Sequence, residues 1–436
     1  MTTFLAALII ALSVGFFPRL NLPGATSSAS ASAIQHDLYV FVDGTIYVYD
    51  EDNGFALVKT ISLPETLAGG RGIAASTATG MLFVSYGGDG GINGTNGSVL
   101  AYNLLTDKVA WITNYSHGID SITVTPDGKT LYVPGGAADT ANLWYVVDAS
   151  NGNQITTINA GGGAHNTVMG SNGQYVYLGG LFWNYLKQVS TSTNQVTQTI
   201  GPYVNGVRPF TVNGSDTLAF TTSTDFLGFE VSSIQTGQVL YTVPIKGFTC
   251  CPPTWTANAP SHGISLSPDE REIYVIDAPN SYVHVFDVTG LPNAAPVQVA
   301  DISLNTPMGG TESPCAYDCT QEGWLMHSID GGYVYVGDSG DVIDTQTRQI
   351  VTNLPELAQT RQFIEIDWAN GVPIAASQRE SIGRVTTPPG SATATALVTA
   401  TPAATMTSTP TPSPTLTPTR QGSDLPRRTF LPSISS

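Results

Sequence analysis

The sequence predicts an all-β protein, a closed seven-bladed propeller of four-stranded antiparallel sheets. Three observations predict it. Apolar and polar residues alternate almost without a break from Leu38 to about Val385. Asp-Gly and Asn-Gly turns punctuate that alternation, and period-2 patterning around such turns identifies β-hairpins. The hairpins come in pairs that repeat every 42–57 residues or so, the period of a propeller blade.

The first hairpin of a unit reads SITVTPDGKTLYVPGG from Ser121, HNTVMGSNGQYVYLGG from His165, HGISLSPDEREIYVID from His262 and LMHSIDGGYVYVGD from Leu325. The second reads IYVYDEDNGFALVKTISL from Ile46, LWYVVDASNGNQITTIN from Leu143, FEVSSIQTGQVLYTVPI from Phe229 and DVIDTQTRQIVTNLPEL from Asp341. Asp50, Asn103, Asp148, Ser190, Ser233, Asp287 and Asp344 occupy equivalent positions, so there are seven units. Radial packing lets each sheet bury both faces against its neighbours. The first unit lacks an innermost strand, and FIEIDWANGVPIAAS from Phe363 supplies one, closing the ring. That segment is long enough for two strands, and SIGRV from Ser381 for a third. A ring of eight blades is therefore the alternative.

Composition agrees with this and excludes some functions. Only 11% of residues are charged and 45 are glycine, which suits short strands and tight turns better than surface helices. The net charge is −17 with 16 basic residues in 436. Nucleic-acid binding needs phosphate neutralisation by Lys and Arg, so nucleic acid is excluded as a partner, as is an anionic membrane surface.

The flanks differ from the ring. Residues 4–17, FLAALIIALSVGFF, have the length of a signal-peptide core, and ASASA from Ala29 offers small-residue cleavage sites. Residues 1–33 are read as a signal peptide whose removal leaves no membrane span in the mature form, with an uncleaved anchor as the alternative; either implies a secreted or cell-surface protein. The propeller covers 36–385. Residues 386–420 are almost entirely Thr, Pro, Ala and Ser, a composition that stays extended and solvated. Residues 386–436 form a disordered tail that resembles the cell-wall spacers of exported bacterial proteins.

The units TLYVPGG, YVYLGG, EIYVIDAPNSYVHVFDV and YVYVGD resemble the YVTN-type repeats of exported bacterial and archaeal propellers. The resemblance spans about residues 36–385. It implies the fold, whereas function ranges there over surface-layer proteins, dehydrogenase subunits, lactonases and lyases.

Four cysteines fall in two pairs, Cys250–Cys251 and Cys315–Cys319, in the two longest inter-blade connections. An even count in an exported chain favours disulfides; a four-thiolate zinc site is the alternative, although adjacent cysteines suit it poorly. Bridges from 250/251 to 315/319 are expected to bind the two loops into one rim, a strained vicinal bridge being the less favoured pairing.

Both loops open on the face where the innermost strands begin. Aligning those strands places Arg71, Asp120, His165, Arg208 and His262 at their leading positions, with His327 about four residues further in on the same side. The closing strand adds Arg361 just before it and Glu365 within it, and His117 precedes Asp120. Ring geometry gathers these at one channel mouth. His165, His262 and His327 are the candidate metal ligands, since three histidines can hold a divalent cation with positions left open. Arg71, Asp120, Arg208 and Arg361 are the candidate ligand-binding residues, with arginine gripping a carboxylate. Trp183, Trp255 and Trp324 lie in or near the rim and could stack on a flat ligand. The opposing reading is structural: polar residues at strand ends meet channel water or satisfy carbonyls. The leading function is binding of a small molecule or protein partner at the mouth. The runner-up is a metal-dependent hydrolase or lyase, lactonase-like or polysaccharide-lyase-like, at the same place. The opposite face is expected to be scaffold.

Overall fold

The computed structural model describes residues 34–377 apart from 64–68, 88–96, 117, 138–141 and 316–318. The signal segment, His117, most of the Gly-rich loop from Gly87, SIGRV and the tail lie outside the described residues. Within them are seven antiparallel sheets, six of four strands and one of five. Among the described residues the helical element is a single 3-10 turn, Leu357–Gln359, and no helix is long and apolar enough to cross a membrane.

Each four-stranded sheet is a meander whose first strand is innermost and whose fourth is outermost. In the fourth blade, Ala164–Met169 is entirely buried while Gln195–Ile200 is mostly exposed. Seven apolar clusters lie between successive blades. Leu131, Val133 and Tyr145 of the third blade pack against Phe83 and Val99 of the second, and its Tyr132, Trp144 and Val146 pack against Met169 and Val176 of the fourth. Alternate residues of one strand thus serve two interfaces. The seventh cluster joins Trp324, Met326 and Tyr335 to Leu38, Val40 and Phe363, which makes the ring continuous.

Closure is the expected one. Phe363–Ala369 pairs antiparallel with Gln35–Val42 and becomes the inner strand of the first blade. The Phe41 amide donates to the Gln362 carbonyl at 2.8 Å, and Thr360 Oγ1 donates to the Phe41 carbonyl at 2.7 Å.

The eight-bladed alternative is not formed. Asn370 and Gly371 both take positive φ (54° and 75°) in a two-residue turn, the geometry that favours Asn-Gly. The chain folds straight back, and Val372–Ala376 pairs with Ile366–Ala369 as a fifth strand of the same sheet. The other edge of the closing strand is already taken by Gln35–Val42, so the extra strand lies on the axial side.

Candidate functional site

The leading ends of three inner strands share a local irregularity. Registers slip between Gly70 and Gly72, between Ala164 and Asn166, and between Val207 and Phe210. The extra residues at these bulges are Arg71, His165 and Arg208 with Pro209. A bulge bends the strand and re-aims the unpaired side chain, here at the channel mouth. Gly72, just after Arg71, allows close approach of the next blade: a Cβ there would stand 2.8 Å from the Ile122 nitrogen and 2.7 Å from Ser85 Oγ. Ser121–Ile122 can therefore pack against the second blade, which brings Asp120 beside Arg71.

Asp120 is the hub of one half of the mouth. Its Oδ2 accepts from Arg71 Nη2 at 2.9 Å and from His165 Nδ1 at 2.6 Å, while its Oδ1 accepts the Ser121 amide at 2.8 Å. These bonds fix His165 with Nε2 as its remaining ring nitrogen, and that atom is buried with no hydrogen-bond partner.

Arg361 is the hub of the other half. It contacts Glu312 at 3.2 Å, Glu322 at 3.4 Å and the fully buried Asp338 at 3.6 Å. Asp338 Oδ2 also accepts the amides of Glu322 and Gly323 at 3.0 and 2.9 Å. Burial pushes the Asp338 carboxyl upward against the opposing pull of Arg361.

Between the halves, Arg208 donates through Nε to Thr224 Oγ1 at 3.0 Å and through Nη2 to Asn258 Oδ1. His262 Nδ1 donates to the Gly323 carbonyl at 3.1 Å. Burial, followed by the charges of Arg361, Arg208 and His165, holds the His262 imidazole well below its usual range. His262 Nε2 also lies 3.7 Å from Glu322 Oε2, so arginines and carboxylates alternate around the mouth.

Arg71, Asp120, His165, Asn166, Arg208, His262, Trp324, Arg361 and Gln362 surround one cavity of about 20 Å³. Its tightly enclosed part holds about one water-sized group. Seven of the sequence-derived candidates thus meet in one place, Trp324 among them. Asn166 and Gln362 were not anticipated; each follows a candidate in the chain, and Asn166 Nδ2 and Gln362 Oε1 are buried without hydrogen-bond partners. Asn258, Glu312, Glu322 and Asp338 were also missed. The first three sit in or at the end of the long loops, where spacing gives no register to count from.

His327 does not belong to the mouth. It lies at the far end of Trp324–His327, with Nδ1 bonded to Ser265 Oγ at 2.8 Å, and lines a groove of about 660 Å³ on the opposite face. Four residues further in is most of a short inner strand, so matching parity still leaves it at the wrong level. Among the described residues, His165, His262 and His327 do not come within sharing distance of one metal ion, and the three-histidine set is withdrawn. Glu365, the third residue of Phe363–Ala369, likewise is not at the mouth: its Oε2 accepts the Ile329 amide, two residues past His327.

Burial pushes the His327 imidazole down to about 3. The unfolded chain, with its histidine near 6.5, binds the proton first, so this residue's contribution is present above pH 6.5 and is lost as pH falls toward 3. Between pH 7 and pH 5 it should remove about 2 kcal/mol of stability. In urea unfolding at the two pH values, His327→Gln should shrink the difference by that amount; an unchanged difference would assign the acid sensitivity to other groups.

The cysteine expectation is also corrected. Cys250 bonds Cys251 and Cys315 bonds Cys319, so each loop carries its own short bridge. The loops still meet: a Cβ at Gly309 would stand 3.4 Å from Trp255 Cζ3. Packing of Trp255 on Gly309 replaces the expected cross-link. Trypsin without reductant should release 247–271 and 272–348 as separate peptides, each lighter by one bridge's two hydrogens. A single species joining them would contradict this pairing. Of the other tryptophans, Trp324 is buried in the mouth wall. Trp183 covers Gly161 and Gly162 and stays half exposed.

No family model matches the chain, and no curated protein matches its sequence.

Proposed function

We propose that this chain is an exported ligand-binding propeller of the YVTN type whose channel mouth takes the carboxylate of a small molecule. One observation carries the reading. His165, Asn166 and Gln362 line a single cavity edged by three arginines, and each carries a buried polar atom without a hydrogen-bond partner, Nε2, Nδ2 and Oε1 respectively. Each such atom costs about 1–3 kcal/mol when left unmet. Their convergence implies an occupant that supplies the bonds: Asn166 Nδ2, and His165 Nε2 when the ring is protonated, donate to a carboxylate oxygen, while Gln362 Oε1 accepts from a hydroxyl of the same ligand. The cavity's size limits the enclosed part to one carboxylate oxygen, with the rest of the ligand between the rim loops.

A second reading, proton-transfer chemistry in a hydrolase or lyase, is favoured by the Asp120–His165 pair. Asp120 orients the ring and leaves Nε2 toward the cavity, the arrangement a general acid or base needs. Gathering of histidines around a metal does not support it.

Calorimetric titration with acetate, malonate, citrate and glucuronate, each beside its neutral amide, tests the proposal. At least one carboxylate should bind with 1:1 stoichiometry and at least ten times more tightly than its amide. Equal or absent binding across every pair would refute an anion site.

A further inference from the structure

We propose that a divalent cation binds on the face opposite the mouth, held by His36, Glu365 and Asp367, and locks the closure of the ring. His36 lies directly across from Asp367 where Gln35–Val42 pairs with Phe363–Ala369. Glu365 is two residues back on the closing strand and so shares the face of Asp367. His36 Nδ1 is 2.8 Å from Asp367 Oδ1 and 3.6 Å from Glu365 Oε1. One donor atom from each residue falls within 4.8 Å of the others. For metal–ligand bonds of roughly 2.0–2.2 Å, neighbouring ligands of a tetrahedron or octahedron stand roughly 3.0–3.5 Å apart. The observed separations bracket that value.

Charge gives a second reason. Glu365 is fully buried and Asp367 nearly so. Even a protonated His36 would offset only one of the two carboxylates, and uncompensated buried charge is strongly unfavourable. Hydrogen bonding gives a third, independent of the first two. Glu365 Oε2 is fixed by the Ile329 amide at 2.6 Å, while Oε1, facing His36, is buried with no hydrogen-bond partner. The Glu51 amide donates to the His36 carbonyl at 3.0 Å, and Glu51 Oε1 is likewise buried and unmet. A carboxylate oriented through one oxygen and open at the other is what a second shell prepares for a metal.

One imidazole with two or three carboxylate oxygens suits Mn²⁺ or Zn²⁺. Such an ion would tie the first strand, the closing strand and, through Ile329, the seventh blade. The face expected to be plain scaffold thus carries a site of its own.

The test uses the full chain after EDTA treatment and dialysis, titrated with MnCl2 or ZnCl2. One ion should bind with 1:1 stoichiometry at micromolar Kd or tighter and raise Tm by at least 5 °C. Hydrogen exchange should slow in 35–42 and 363–369. Glu365→Gln with Asp367→Asn should weaken that binding at least tenfold. The wild-type titration stands alone if the double variant fails to fold. Absence of binding at millimolar ion, or equal binding by a folded double variant, would overturn the proposal.

Discussion

Replacing Arg361 with methionine is expected to destabilise the ring by about 3–5 kcal/mol, the cost of leaving buried charge unpaired. The guanidinium is only 6% exposed and meets three carboxylates, of which Asp338 is wholly buried and Glu322 and Glu312 are 9% and 11% exposed. Methionine matches its length but leaves those charges facing one another. Arg361 also precedes the closing strand, so the loss falls where the two ends of the ring join. Adding Asp338→Asn to the methionine variant should recover part of the loss, because it removes the most deeply buried of the stranded charges. Urea unfolding of the single and double variants measures both effects. A loss under about 1 kcal/mol would place this cluster with ordinary surface ion pairs.

The second large effect concerns binding. Arg208→Gln should weaken the best-binding carboxylate by about 100-fold, roughly 2.7 kcal/mol, while moving Tm by no more than a few degrees. Thr224 and Asn258, to which Arg208 donates, are neutral, and a glutamine amide can still donate to them. His165→Gln should cost binding as well and separates the two readings. If the mouth only binds, Kd rises and no turnover is involved. If His165 Nε2 transfers a proton, turnover of a substrate falls far more than its affinity. Binding that survives both variants unchanged would make these residues structural.

Much of this architecture was legible in the sequence because strand alternation and turn chemistry are local signals. The seven second-hairpin positions from Asp50 to Asp344 counted the blades correctly. Leading positions of inner strands were countable from the turns, so Arg71, Asp120, His165, Arg208 and His262 were found. The bulges that aim three of them were not, because a bulge shows only in the register against a partner strand. His327 failed for a related reason: parity predicts the side of a strand, not the depth along a channel. Cys250 and Cys251 were read through loop proximity, which is correct, but tryptophan packing supplies the contact expected of a bridge. His36 escaped notice because its partner in the fold, Asp367, lies 331 residues away.

The most direct test is a crystal structure of the protein soaked with its tightest-binding carboxylate. The account predicts a carboxylate oxygen within hydrogen-bond distance of His165 Nε2 and of at least one of Arg71, Arg208 and Arg361. Asn166 Nδ2 should lose its unpaired state in the same complex by donating to that carboxylate. A ligand seated in the groove beside His327, with the mouth holding only water, would contradict it.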